Sequence, residues 1–73
     1  MLENLRKLRE ERGLSRREVA EILSVSAAVY TALEQGKRKR GIDLIIKLAD
    51  YYNTSMDYIL GITDDPVAQA GTG

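Results

Sequence analysis

Apolar residues in this chain recur every three or four positions, the spacing of one face of an α-helix, and no segment shows the two-residue period of a strand. Leu2, Leu5 and Leu8 form the first stripe and predict a helix over residues 2–12. Glu3–Lys7, Arg6–Glu10 and Lys7–Glu11 would be opposite-charge pairs on its solvated side. Gly13 is the expected left-handed stop. Ser15-Arg16-Arg17-Glu18 has the form of a capping box, serine and glutamate each satisfying a free amide of the other. It opens a second helix, 16–23, with Val19, Ala20 and Leu23 on the inner face. After the short break Ser24–Val25–Ser26, Ser26 is a natural cap for a third helix, 27–35, which buries Tyr30 and Leu33 and ends at Gly36.

A fourth helix, about residues 42–52, is apolar nearly all round. Its only polar stripe is Asp43, Lys47 and Asp50, which predicts a place at the centre of the core. Thr54 and Ser55 cap a fifth helix, 56–60, stopped by Gly61. The fold class is all-α: one domain of five short helices over residues 1–61, followed by a flexible tail at 62–73. The expected core is Leu5, Leu8, Val19, Ala20, Leu23, Val25, Tyr30, Leu33, Ile45, Leu48, Ala49, Met56, Ile59 and Leu60.

Composition narrows the function. A chain of 73 residues is too short for a second core. It has no cysteine and no histidine, which excludes disulfides and thiolate metal sites and removes the commonest metal ligand and the commonest general base. No metal, cofactor or small-molecule substrate is expected. The adjacent carboxylates Asp64 and Asp65 lie in the tail without a preorganised partner, so the chain does not read as an enzyme. No apolar run approaches the roughly 20 residues of a membrane helix. The start, Met1–Leu2–Glu3–Asn4–Leu5–Arg6, lacks the shape of a secretion signal, and the reading is cytoplasmic.

Formal net charge is zero, yet the charges are segregated. Residues 1–47 hold all 11 basic residues and 7 acidic ones, a net +4; residues 48–73 hold Asp50, Asp57, Asp64 and Asp65, a net −4. Four bases run together at Lys37–Arg38–Lys39–Arg40. Such a dipole presents a strong local positive field whatever the total charge.

The informative segment is 15–36. Two short helices separated by a three-residue break cannot pack antiparallel and must cross steeply, as in a helix-turn-helix, with Ala20 as the small residue at the crossing. The stretches LRKLREERGLSRREVAEIL, VSAAVYTALEQGKRK and IDLIIKLADYYNTSMDYILG, in that order, resemble the lambda-repressor/Cro-type helix-turn-helix family of bacterial and phage transcriptional regulators over residues 2–61. The resemblance implies a repressor that binds double-stranded DNA as a homodimer, with the third helix in the major groove and half-sites about one DNA turn apart. It places the base-reading positions at Ala27, Ala28, Thr31 and Ala32. Arg16 and Arg17, opening the second helix, and the Ser26 helix start are expected to meet phosphate, and Lys37, Arg38, Lys39 and Arg40 to grip an adjacent phosphate run. The resemblance also puts a dimer surface near the fifth helix, where Tyr58 and Ile62 are apolar beyond what one short helix can bury.

The chain departs from the family's usual pattern at three places. Arg16 stands where glutamine is usual, and Ser24 where glycine is frequent in the turn. Alanines occupy reading positions where Gln, Arg, Asn or Ser are frequent, and alanine can touch a thymine methyl but cannot make a bidentate base contact. These alanines are either plain helix formers or removed readers. Ile22, on a face usually polar, is either a lone exposed residue or part of an interface. Arg6, Lys7, Arg9 and Arg12 read as surface pairing partners, and Tyr51, Tyr52 and Tyr58 mainly as packing residues. The competing reading is a protein-interaction module on the same scaffold, antirepressor or antitoxin-like, with weakened DNA readout.

Overall fold

The computed structural model describes residues 2–37 and 41–65. Among them are five α-helices and no strand: α1 (Glu3–Glu11), α2 (Arg16–Leu23), α3 (Ala27–Glu34), α4 (Ile42–Tyr51) and α5 (Met56–Leu60). Each expected helix is present, with ends displaced by one residue at most. Of the tail expected at 62–73, residues 66–73 lie outside the described residues.

One device ends every helix. The residue after each last turn is left-handed: Gly13, Ser24, Gly36, Asn53 and Gly61. At each, two amides turn back onto the final carbonyls, as in Ser24 N–H to Glu21 O at 3.0 Å and Val25 N–H to Ala20 O at 2.9 Å. This pair of hydrogen bonds satisfies carbonyls that a helix end otherwise leaves unpaired, and it turns the chain sharply. Three of the starts are capped by serine: Ser15, Ser26 and Ser55 accept from the amides of Glu18, Val29 and Tyr58. The Ser15 box is complete, because Glu18 Oε1 accepts the Ser15 amide at 2.9 Å. That bond, with the serine hydroxyl, holds the Glu18 carboxyl below its ordinary value.

α2 packs on α3, α1 spans α3 and α5, and α4 lies against α5. The core is Leu5, Leu8, Val19, Ala20, Leu23, Tyr30, Leu33, Leu44, Ile45, Leu48, Ala49, Tyr52 and Ile59. Val25 and Met56, expected inside, are only partly buried against it. Leu60, also expected inside, is 39% exposed, because a five-residue helix can turn only one residue of its apolar pair fully inward, and that is Ile59. The expectation for α4 also needs correcting. Leu44, Ile45, Leu48 and Ala49 face the core, but Ile42 and Ile46 are 58% and 52% exposed, and Tyr51 is exposed too. Among the described residues no element covers that side. Ile42 and Leu60, with Leu2, Leu33 and Ile45, line a groove of about 300 Å³.

The pairing on α1 differs from the expected i,i+4 set. Arg6 reaches Glu3 at 2.6 Å, and Arg9 is no surface partner: it is 8% exposed. Arg9 follows Leu5 on the buried stripe and meets Glu34, which is fully buried at the end of α3. Their Nε–Oε1 distance is 3.1 Å, and Arg9 Nη1 also donates to the Leu14 carbonyl at 2.8 Å. The backbone reinforces this junction, since the Leu2 amide donates to the Glu34 carbonyl at 2.8 Å.

Candidate nucleic-acid interface

The joint between α2 and α3 is set by local chemistry. Ser24 takes φ 60°, ψ 40°, and two residues later Ser26 is extended at φ −73°, ψ 156°. These two conformations turn the chain sharply within three residues. α2 then rests on α3, with Ala20 at 2% exposure and Leu23 at 5%. The first turn of α3 stands outward as a result: Ser26, Ala27 and Ala28 are exposed, while Thr31 and Ala32, one turn on, are half-buried. The outer surface of this turn is therefore small and nearly uncharged.

Cations stand at the other end of α3. α3 is eight residues, about 12 Å long, so Ser26 and Lys37 lie beyond its opposite ends. Lys37 is exposed, and Arg38, Lys39 and Arg40 lie outside the described residues. Arg16 and Arg17 occupy the first two positions of α2, both exposed. Arg17 makes no ion pair with a described residue. Arg16 donates from Nε to Oε2 of Glu34 at 2.9 Å while its side chain stays 44% exposed. That contact brings the start of α2 alongside the end of α3, three residues before Lys37. Of the pair expected at a dimer surface, Tyr58 is half-buried against the core and Ile62 is 71% exposed.

A family model described as Helix-turn-helix matches residues 5–59. The chain belongs to the helix-turn-helix family of the lambda-repressor/Cro type. Curated relatives in Bacillus subtilis (strain 168) carry matching names. The uncharacterized HTH-type transcriptional regulator YobD is 38% identical over 64 residues, 88% of this chain and 57% of that protein. The uncharacterized HTH-type transcriptional regulator YqaE is 32% identical over 68 residues, 92% of this chain and 59% of its own. The HTH-type transcriptional regulator AnsR is 30% identical over 60 residues, 82% and 52%. The chain thus spans a little over half the length of the relatives it matches. No solved structure matches it.

Within this helix-turn-helix domain, the sequence reading overlooked Glu34 and misplaced Arg9. The signal was there. Glu34 follows Tyr30 by four residues, and Arg9 follows Leu5 by four, so each charge falls on its helix's apolar stripe. Two opposite charges on facing buried stripes are the mark of an internal ion pair. Among the described residues, no three or more acidic side chains gather where they could hold a metal ion, and no helix is long and apolar enough to cross a membrane.

Proposed function

We propose that this domain is a DNA-binding transcription regulator acting in the cytoplasm, a repressor that binds double-stranded DNA as a homodimer with α3 in the major groove. The observation that carries the reading is α3 itself: an outward first turn of small side chains with Arg16, Arg17 and Lys37 arranged about the helix. Small residues allow the helix start to approach base edges closely, and the free amides there attract phosphate. The cations, with the rest of the run at 37–40, supply the backbone grip. The names of the relatives agree with this reading. Pairing is supported by the aliphatic surface that α4, α5 and Ile62 leave exposed.

With alanine at three reading positions, base-edge hydrogen bonds fall to Ser26 and Thr31. Specificity then rests on thymine-methyl contact and on DNA shape. Selection from a random duplex library, repeated at two salt concentrations, tests the reading. The expected outcome is a shallow, A·T-leaning consensus in two half-sites, with affinity that falls steeply as salt rises. A tight G·C-rich consensus would contradict the assignment of the readers, and the absence of salt-dependent binding would contradict DNA as the ligand. One observation favours a second reading, a protein-interaction module: Ala27, Ala28 and Ile22, the last 43% exposed, present apolar groups on the helix pair. A partner that binds this face while duplex DNA does not would establish it.

A further inference from the structure

The buried carboxylate at the end of α3 has one more cationic partner than its burial requires. Glu34 is 0% exposed, and Arg9, 8% exposed, already neutralises it. A carboxylate so placed needs one well-bonded cation to offset its desolvation. Arg16 is a second cation, on the carboxylate's other oxygen, and it remains 44% exposed. Two guanidiniums meet the one buried carboxylate; Arg9 also lies 4.0 Å from the exposed Glu10, and Arg16 is the partner that keeps its charge at the surface.

The guanidinium is suited to face both ways. Its single Nε–H lies on one edge, and the two Nη groups form the fork that fits a phosphate. With Nε committed to Glu34, the fork remains for an outside ligand, and neither Nη of Arg16 bonds a described residue. A free surface arginine loses rotamer freedom when it grips an anion; Arg16 has given up much of that freedom on folding.

We infer that Glu34 is a positioning residue for DNA, aiming the Arg16 fork at a backbone phosphate. The inference rests on the DNA-binding reading above and adds to it a buried group that never touches the ligand. Arg17 is the internal comparison: it is adjacent, exposed and unpaired among the described residues, so its charge is not oriented in advance.

The test measures affinity for a random-sequence duplex across a salt series, alongside thermal melts, for wild type, Arg16→Lys and Arg17→Lys. Lysine keeps the charge but has one ammonium, which serves either Glu34 or the phosphate. Arg17→Lys should lose less than Arg16→Lys, because no described partner orients the Arg17 fork in advance. Arg16→Lys should lose about 2- to 12-fold per subunit, the worth of one pre-immobilised side chain. Its salt slope should not change, since the charge count is the same. Glu34→Gln sharpens the result. Removing a carboxylate adds positive charge, so electrostatics alone would tighten binding; a weakening isolates the loss of positioning. On the Arg16→Lys background the same change should cost no further affinity. If Glu34→Gln melts too low to assay, the comparison of the two lysine variants decides. Arg16→Lys binding as tightly as wild type, or Glu34→Gln weakening both backgrounds equally, would overturn the inference and leave the DNA reading standing. A wild-type domain that binds no duplex would overturn both.

Discussion

Ser24 shows how much a single backbone angle can carry. It is a non-glycine residue at φ 60°, in the turn that sets the α2–α3 angle. An L residue pays about 1–2 kcal/mol for that region, while glycine loses about 0.5–1 kcal/mol more chain freedom on folding. Ser24→Gly should therefore stabilise the domain by about 0.5–1 kcal/mol. A urea titration should show a higher midpoint at unchanged slope, and a lower midpoint would mean that the serine side chain makes a contact worth more than the strain. The two buried tyrosines give a second residue-scale expectation. Burial, ahead of nearby charges, pushes the Tyr52 hydroxyl from its ordinary value of 10.0 up to about 12, and it raises that of Tyr30 as well. Neither hydroxyl bonds a described residue. The folded state thus keeps protons that the unfolded chain releases above pH 10. Stability should be full below about pH 10 and fall as pH rises from there toward 12. Melting temperatures at pH 9 and 11 check the sign, and Tyr52→Phe should flatten the fall.

At the level of elements, boundaries were legible because each is written in local chemistry. Ser15 with Glu18, Ser26, and the glycine stops Gly13, Gly36 and Gly61 act within four residues of themselves, so sequence alone located them. Burial depends on partners distant in the chain, and there the pattern misled. An all-round apolar helix reads as central, yet among the described residues α4 has neighbours for one side only, and Ile42 and Ile46 remain outside. Arg9 and Glu34 were obscured for the same reason. Each is polar by composition, and only the approach of α1 to α3 makes them interior. Of the proposed interface, the joint was readable from spacing and the outward start of α3 only from the family resemblance, whereas Arg16's tie to Glu34 needed the fold. The helix crossing itself offers a test. The spacing places Ala20 where α2 meets α3, and it is 2% exposed; on that placement Ala20→Leu should overpack the crossing by about 1–3 kcal/mol. A variant that melts like wild type would show that the crossing has slack.

For the molecule as a whole, the apolar surface left over on α4 and α5 bears on assembly. A 73-residue chain cannot bury every aliphatic group it carries, and Ile62 stands 71% exposed beside a half-buried Tyr58. In the proposed homodimer this region would be covered by the second copy. Sedimentation over a concentration series should show association, and Ile62→Asp should shift it toward monomer while leaving the melting temperature nearly unchanged. A wild type that stays strictly monomeric at high concentration, with and without duplex, would place the pairing elsewhere or remove it. The segregated charge adds a further expectation. If the run Lys37–Arg40 grips phosphate, replacing all four with alanine should flatten the slope of log affinity against log salt by about 0.9 for each phosphate no longer neutralised. An unchanged slope would move the grip to Arg16 and Arg17. The outward alanines of α3 have one more consequence. Ala27 and Ala28 contribute nothing to the core, so their replacement by larger polar residues need disturb no packing. Under the DNA reading, a lineage bearing this scaffold can change which operator it favours by single substitutions there, with no compensating mutation inside, and new specificities lie one amino-acid change away from a stable ancestor.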